Sequence, residues 1–335
     1  MGQSCFRSHQ SHSLRRHLCY IFILLWTCAA CQAAAHDNFP TPSAVQQPSA
    51  LPALAIQPTL TPRPINAPTN PPTDLPTLSP DPFVIEPSLT LPPLDNSLLT
   101  QVAQDGTSET VIGHSAEGRD LVIQRFGSGE RVLMLVGGIH GGWEGNTVTL
   151  MQQLIDHFTA TPADVLPGMT ILINPVANPD GLAYGRIPRG RFNGDDVDLN
   201  RNWACDWSGE AYWREERVNA GIGSFTEPET VALANFILQV RPAGLLFFHS
   251  AAGGVFAGNC NGDHGSAALA AIFGKAAGYS YDKPFTAYGV SGTASDWADQ
   301  QGIPAADVEL LSPLDSEYER NLKGILALEH WLVGN

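Results

Sequence analysis

The chain has few charged residues, and basic ones are scarcer than acidic ones. Only 15% of its 335 residues are charged, and 18 Lys and Arg stand against 33 Asp and Glu, for a formal net charge of −15. Proteins that bind nucleic acid through its phosphates need clustered Lys and Arg. The composition therefore counts against a nucleic-acid partner, although net charge by itself identifies no substrate.

The sequence also lacks an apolar run that is long enough to cross a membrane comfortably. The apolar segment at residues 18–26 is much shorter than the roughly 18 residues that a spanning helix needs. Arg7, Arg15 and Arg16 precede it, and small residues follow it. This order is typical of an export signal, so residues 1–35 are predicted to direct the protein out of the cytoplasm.

Two ways of processing this signal remain open. Residues 28–31 resemble a lipoprotein signal in which Cys31 becomes lipidated, although Cys28 stands where that motif usually has Leu. The protein would then be anchored by lipid to the outer face of the cell membrane. Alternatively, Ala33 and Ala35 form an A-x-A site whose cleavage would release a secreted or periplasmic protein. We favour the lipoprotein interpretation. An uncleaved anchor helix is the least favoured interpretation, because the apolar segment is too short to span a membrane.

Proline is frequent and unevenly distributed. Sixteen of the 26 Pro residues lie between Pro40 and Pro93. Such a segment cannot maintain a helix or a central strand. Residues 36–95, rich in Pro, Thr and Ser, are therefore predicted to form an extended tether without a core. We expect one folded domain over residues 96–335, acting as a monomer.

Short aliphatic segments alternate with helical patterns along this domain. Strands are predicted at residues 120–126, 131–136, 169–174, 244–248 and 306–310. Helices are predicted at residues 145–159, 227–240, 266–277, 294–301 and 317–332. Aliphatic strands alternating with helices predict an α/β sandwich with a largely parallel sheet. In such sheets, binding sites gather at the carboxyl ends of the strands.

Three of these strands carry polar residues at or near their ends that a core would not favour. His140 and Glu144 follow the second strand, His249 follows the fourth, and Glu309 interrupts the fifth. Two imidazoles and a carboxylate with an open fourth position are ligands of a catalytic zinc, and a further carboxylate could act as general base. Taken singly, each residue also fits an ordinary structural role, such as a hydrogen-bonded His or an ion-paired Glu.

The motifs between these positions narrow the interpretation. In chain order they are NPDG at 178–181, DLNRNW at 198–203, TEPE at 226–229, Tyr288 before DW at 296–297, and DVEL at 307–310. In this order the set resembles the zinc carboxypeptidases of the M14 family over about residues 111–335. The resemblance implies an exported enzyme of bacterial type with a single three-layer α/β/α domain and a mixed, largely parallel twisted sheet.

Carried over position by position, the resemblance also implies the site residues. One Zn²⁺ per chain would be held by His140, Glu144 and His249. Glu309 would act as general base and acid, and Arg191 would stabilise the oxyanion. The substrate-binding residues would be Asn200 and Arg201 for the terminal carboxylate, Tyr288 over the bound residue, and Ser295 at the floor of the specificity pocket.

One spacing departs from the family pattern. The family usually has H-x-x-E, whereas three residues separate His140 from Glu144. The extra residue lies in a Gly-rich turn that could bulge and still deliver both side chains to one metal. We expect Glu144 to be a ligand, because the next acid downstream is Asp156. If the turn fails to bring them together, the metal site would be weakened.

These residues predict a zinc-dependent exopeptidase that cleaves the C-terminal peptide bond of extracellular peptides. Asn200 and Arg201 suit any substrate with a free terminal carboxylate, so a peptidoglycan stem-peptide hydrolase of the γ-D-glutamyl-diaminopimelate type is the alternative. A surface binding module with impaired catalysis is the third reading, which the long His140–Glu144 spacing keeps open. Ser295 indicates a small or polar pocket and does not identify the cleaved residue.

Few cysteines remain once the predicted signal is removed. Cys5, Cys19 and Cys28 would leave with it, and Cys31 would be lipidated or removed. That leaves Cys205 and Cys260, an even pair in an oxidising compartment. One follows the DLNRNW motif and the other follows the strand that leads to His249. We predict a disulfide between them beside the site.

Overall fold

The fold is described over residues 107–334 of a computed structural model of the chain. The predicted signal at residues 1–35 with its Cys31, the predicted tether at residues 36–95 and the start of the predicted domain lie outside the described residues. Within residues 107–334, no helix combines the length and the apolarity that crossing a membrane requires.

Residues 107–334 contain nine strands and six α-helices. The strands are β1 Thr107–His114, β2 Asp120–Gly127, β3 Arg131–Val136, β4 Met169–Asn174, β5 Ala211–Trp213, β6 Glu216–Val218, β7 Gly244–Ser250, β8 Gly254–Ala257 and β9 Ala305–Leu310. The helices are α1 Gly145–Ala160, α2 Pro179–Tyr184, α3 Pro228–Val240, α4 Ser266–Ala277, α5 Ala294–Gln300 and α6 Tyr318–Gly334. Short 3₁₀ turns lie at Gly141–Glu144, Pro162–Asp164, Pro188–Arg191 and Leu199–Arg201.

Seven strands form one mixed sheet in the order β1-β2-β4-β3-β7-β9-β8. Its four central strands, β4, β3, β7 and β9, are parallel to one another. The antiparallel strands β1 and β2 extend one edge, and the antiparallel strand β8 closes the other. Strands β5 and β6 form a separate hairpin. The predicted mixed, largely parallel sheet is confirmed.

Helices cover both faces of this sheet, because side chains alternate along each strand. On β3, Leu133 and Leu135 point to the side covered by α1, α4 and α6, and Met134 points to the side covered by α3 and α5. All three side chains are fully buried. The result is the predicted three-layer α/β/α domain, with the carboxyl ends of the parallel strands meeting at one edge.

The five predicted strands and five predicted helices are all present, and their ends shift by at most two residues. The prediction missed β1, β5, β6, β8 and α2. Edge strands and short hairpins are stabilised by tertiary contacts with neighbouring elements. The hydrophobic pattern within the segment itself is therefore a weak predictor of such strands. Helix α2 could have been predicted from Asn178-Pro179, because Asn is a common N-cap and Pro a common first helical residue. In the structure, Asn178 accepts a hydrogen bond from Gly181 N at 2.7 Å, and Pro179 is the first residue of the helix.

Candidate active site

His140 directly precedes the 3₁₀ turn that follows β3, and Glu144 is the last residue of that turn. Gly141 has φ of +45°, and a Cβ at that position would lie 2.7 Å from the Cα of Gly181. A Cβ at Gly142 would lie 2.6 Å from the Cα of Gly185. The turn therefore packs backbone against backbone, which only glycine permits. The extra residue between His140 and Glu144 is accommodated in this 3₁₀ turn.

The structure brings three candidate metal ligands together. His140, Glu144 and His249 each offer a ligand atom, and these atoms all lie within 4.8 Å of one another. All three residues are buried, at 2–5% exposed. The Nδ1 of His140 is buried and lacks a hydrogen-bond partner among the described residues. Two imidazoles and one carboxylate with an unsatisfied donor atom are a donor set that fits a catalytic zinc ion.

The surroundings shift the pKa values of the two imidazoles in opposite directions. Burial, together with the charges of Arg191 and His249, holds the pKa of His140 well below its usual value. Burial also lowers the pKa of His249, but hydrogen bonds and charge from Asp307 and Glu144 outweigh it and raise that pKa to about 10. A metal ion needs both rings neutral, so it competes with a proton at His249.

Asp198 contacts several residues around the candidate ligands, and the sequence analysis assigned no role to it. It accepts hydrogen bonds from Arg191 Nε at 2.9 Å and from Asn200 N at 3.1 Å, and its carboxylate lies 3.6 Å from His140 Nδ1. Arg191 Nη2 lies 2.8 Å from the same carboxylate. The DLNRNW motif contains Asp198, so the signal was present in the sequence. Such outer carboxylates orient the side chains around a metal.

Arg191 is buried beside the candidate ligands, as the last residue of the turn Pro188–Arg191. Two of its nitrogens are held by Asp198, and the third, Nη1, lies 3.7 Å from Glu144 Oε1. Its guanidinium stacks on the ring of Trp213, 4.9 Å from the ring centroid. A permanently charged group is thereby held rigid with one nitrogen facing the ligands.

Glu309 lies on β9 next to His249 on β7. The two residues are direct register partners in the parallel pair, so their side chains project from the same face of the sheet. Glu309 Oε2 accepts a hydrogen bond from Ala252 N at 3.0 Å. Burial raises the pKa of Glu309 to about 7, although the charge of His249 works in the opposite direction. A nearby dication would favour the ionised carboxylate, the form a general base needs.

Asn200 and Arg201 lie in the turn Leu199–Arg201, which borders His249 through Asn200. Asn200 Nδ2 lies 3.5 Å from His249 Nε2, and Asn200 Oδ1 accepts a hydrogen bond from Ala294 N at 2.9 Å. Arg201 donates through Nε and Nη2 to Tyr212 O, both at 3.1 Å, and through Nη1 to Asn200 O at 2.6 Å. These bonds use three of the five N–H groups of a guanidinium, so two remain for a ligand.

All the predicted metal-binding, catalytic and substrate-binding residues line one cleft of about 1140 Å³. Tyr288 packs edge-on against Phe285, with ring centroids 5.0 Å apart, and burial raises the pKa of its hydroxyl. Ser295 is buried and donates to Asp307 Oδ2 at 2.8 Å. The prediction overlooked Asp307, which shares a face of β9 with Glu309 because strand side chains alternate.

The predicted disulfide between Cys205 and Cys260 is present, with 6.2 Å between their Cα atoms. Cys205 O also accepts a hydrogen bond from Gly292 N at 3.0 Å. The bridge therefore fixes the segment after Asn200 and Arg201 to the segment after β8, and both segments border the cleft. Because its sulfur atoms are bonded to each other, this cysteine pair is not a thiolate site.

Comparison with known proteins gives a consistent result. A family model described as zinc carboxypeptidase (Peptidase_M14) matches residues 97–313. The chain is 29% identical to carboxypeptidase A6 of Homo sapiens over 232 residues, which cover 58% of this chain and 53% of that protein. It is 34% identical to murein peptide amidase A of Escherichia coli (strain K12) over 126 residues, covering 35% of this chain and 48% of that protein.

Its fold is similar to the crystal structure of thrombin activatable fibrinolysis inhibitor. The TM-score is 0.60 at 20% identity, and the match covers 71% of this chain and 72% of that one. The chain spans about half the length of the two curated relatives that it matches.

Proposed function

Since this chain belongs to the zinc carboxypeptidase family, we propose that it is a zinc-dependent exopeptidase that hydrolyses the C-terminal peptide bond of its substrates. One observation carries the proposal. The ligand atoms of His140, Glu144 and His249 lie within 4.8 Å of one another, in the same cleft as Glu309 and Arg191. A metal-binding group, a carboxyl suited to move protons and a buried cation are the components of metal-assisted amide hydrolysis.

The residues of the cleft divide this chemistry among them. His140, Glu144 and His249 would hold zinc, which when bound acidifies water and acts as a Lewis acid towards a carbonyl oxygen. Glu309 takes a proton from the attacking water and returns it to the leaving amine. Arg191 meets the negative charge that develops on the carbonyl oxygen, without any change in its own protonation. Asp198 keeps the guanidinium of Arg191 in position for this role.

Asn200 and Arg201 make the enzyme an exopeptidase in this proposal. The two free N–H groups of Arg201 suit the free carboxylate at the end of a peptide, and a peptide that continued past this point would leave the buried cation without a carboxylate partner. Asn200 lies 3.5 Å from His249, so a carboxylate held here places the last peptide bond beside the candidate ligands. Tyr288, on the rim of the same cleft, would close over the bound residue.

A peptidoglycan stem peptide is the second candidate substrate. The matched murein peptide amidase A favours it, and a stem peptide also ends in a carboxylate that Asn200 and Arg201 could hold. Because residues 1–35 read as an export signal, we also propose that the enzyme works outside the cytoplasm, either lipid-anchored through Cys31 or released. A surface module with impaired catalysis is the remaining candidate.

A substrate panel with and without a chelator tests the proposed function. Peptides with a free C-terminus, the same peptides as C-terminal amides, and muropeptides are incubated with the full chain, and products are identified by mass spectrometry. We expect release of single C-terminal residues from free-acid substrates, loss of activity with chelator, and recovery with Zn²⁺. Internal cleavage, or equal cleavage of amides, would contradict exopeptidase activity. Absence of all hydrolysis in zinc-loaded protein would favour the binding module.

A further inference from the structure

The β5–β6 hairpin lines part of the cleft and is tied to the segment that carries the two buried arginines. Its small core consists of Ala211, Val218 and Ala220, with Phe192, Trp207 and Trp213 packed against it. Asn219, which follows β6, accepts a hydrogen bond through its carbonyl oxygen from Asp198 N at 2.8 Å. Asp198 in turn holds the guanidinium of Arg191. The hairpin is therefore connected to the residues around the candidate ligands.

Two successive residues of β5 contact these arginines in different ways. The carbonyl oxygen of Tyr212 accepts hydrogen bonds from Nε and Nη2 of Arg201, both at 3.1 Å. The ring of Trp213 lies against the guanidinium of Arg191, with 4.9 Å between the ring centroid and the guanidinium carbon. The backbone of the strand thus supports the cation that is proposed to bind the terminal carboxylate. A side chain of the same strand supports the cation that is proposed to meet the oxyanion.

The ring of Trp213 restrains Arg191 in a direction that its hydrogen bonds do not. The N–H groups of a guanidinium lie in its plane, and in that plane Nε and Nη2 of Arg191 are held by Asp198. Trp143, which directly precedes Glu144, packs edge-on against Trp213 with ring centroids 5.4 Å apart. An aromatic face attracts a cation most strongly away from water, and Arg191 is buried. The ring therefore keeps the guanidinium from tilting out of the plane of its hydrogen bonds.

We propose that Trp213 is a positioning residue, which keeps the guanidinium of Arg191 where the carbonyl oxygen of the substrate becomes negatively charged. The proposal rests on the proposed function, which assigns that role to Arg191. The charge develops in the transition state, so the contact between Trp213 and Arg191 stabilises the transition state more than the bound substrate. Because Arg201 is held by the carbonyl oxygen of Tyr212, a change of the Trp213 side chain leaves carboxylate binding in place.

Packing within the hairpin is the rival role for Trp213, since its side chain also contacts the hairpin core. The two roles predict different measurements. Loss of packing lowers the unfolding temperature and impairs both kcat and KM, because the hairpin supports both arginines. Loss of positioning lowers kcat and leaves KM unchanged.

The kinetic test compares Trp213→Leu and Trp213→Phe with the matched control Trp207→Leu, on a free-acid peptide that the chain hydrolyses. Trp207 packs against the same hairpin core, but among the described residues it does not line the cleft. We expect Trp213→Leu to lower kcat about five- to thirtyfold, as loss of one desolvated cation–aromatic contact gives, with KM unchanged within about twofold. Trp213→Phe should recover most of the rate, because Phe restores an aromatic face. Trp207→Leu should keep both constants, even if it lowers the unfolding temperature.

A binding measurement shows whether Trp213 acts through Arg191. The probe is the same peptide acid with a phosphonate in place of the scissile amide, because its anionic oxygens imitate the charge of the transition state. Calorimetry gives its Kd for the Zn²⁺-loaded unaltered chain, Trp213→Leu, Arg191→Ala and the double variant, with the zinc content of each determined. We expect Trp213→Leu to weaken binding about five- to thirtyfold by itself. Added to Arg191→Ala it should weaken binding no further, because the group that it positions is then absent.

A tetrafluorinated tryptophan at position 213 keeps the experiment decisive if Trp213→Leu fails to fold. The fluorinated ring fills the same place but attracts a cation much less, so kcat should still fall with KM unchanged. Three results would overturn the role of Trp213: an unchanged kcat in Trp213→Leu or the fluorinated protein, an equal loss of kcat in Trp207→Leu, and additive losses of phosphonate binding. Each of these leaves the proposed function standing. Absence of hydrolysis by the unaltered chain would overturn the proposed function together with the role of Trp213.

Discussion

His249 on β7 and Glu309 on β9 are register partners in the parallel part of the sheet. Their side chains therefore project from the same face, where a candidate ligand and a candidate base come to lie side by side. A slip of one residue in the register would turn Glu309 towards the opposite core, which Val308 and Leu310 occupy. The buried aliphatic residues on either side of Glu309 thus hold it at the site.

Replacing Glu309 with Gln tests its part in proton transfer. We expect hydrolysis to fall by at least about hundredfold, because an amide cannot take a proton from water. Zinc content should stay at that of the unaltered chain, since Glu309 is not among the three clustered ligands. Kinetics and elemental analysis of the same preparation check both points, and turnover near the original rate would remove Glu309 from this role.

Replacing Arg201 with Ala tests recognition of the terminal carboxylate. We expect peptide acids to bind about 30-fold more weakly or worse, because a charge-assisted hydrogen-bonded pair is lost, while the matching amides change little. Arg217→Ala is the control, since Arg217 lies in the neighbouring strand β6 but is exposed and paired with Glu210. Equal weakening of acids and amides would argue against exopeptidase recognition.

Replacing Gly142 with Ala tests the close packing of the turn between His140 and Glu144. The new Cβ would lie 2.6 Å from the Cα of Gly185, so the turn must shift and separate the ligands. We expect zinc affinity to fall about tenfold or more, with about 1–3 kcal/mol lost from the free energy of unfolding. Gly145→Ala is the control, because no atom lies within 4 Å of its added Cβ. Zinc titration and urea unfolding measure both.

Removing the disulfide tests its contribution to stability. Cys205 and Cys260 are 55 residues apart, and closing a loop of that length lowers the entropy of the unfolded chain. The double variant with Ser at both positions should lose about 4 kcal/mol of unfolding free energy. Urea unfolding of oxidised protein, reduced protein and the double variant gives the comparison. Agreement of reduced protein with the double variant is expected, and no difference among the three would contradict the prediction.

Glu329, which does not line the cleft, is expected to make the stability of the folded protein depend on pH. It is fully buried in α6, and although Leu166 N donates to it at 3.3 Å, burial raises its pKa from 4.5 to about 7. The folded protein thus holds this proton more tightly than the unfolded chain does. The stabilisation is complete below about pH 4.5 and is lost as the pH rises through about 7.

Glu329→Gln keeps a neutral side chain at every pH, so the difference between the two proteins isolates this group. From about pH 5 to about pH 8, the unaltered protein should lose about 2–3 kcal/mol more unfolding free energy than the variant. Urea unfolding at both pH values measures this difference. Parallel pH curves for the two proteins would show that Glu329 does not titrate in this range.

Much of the fold could be predicted because its signals are local. Strand β3 is a run of aliphatic residues, α3 begins at Glu227-Pro228, and both were located to within one residue. The alternation of such strands with helices was enough to predict a parallel sheet covered on both sides. The edge strand β1 and the hairpin of β5 and β6 were missed, because their pairing depends on tertiary neighbours.

The motifs around His140, Arg191 and Glu309 were enough to identify the chemical groups that this protein can bring to a reaction and their order along the chain. How these groups meet in space follows from the packing of the domain. It placed Asp198 against Arg191 and His140, and it placed the carboxylate of Asp307 3.5 Å from the ring of His249. The physical reason is that periodicity is a property of neighbouring residues, whereas these contacts depend on strand order, register and a backbone-to-backbone turn.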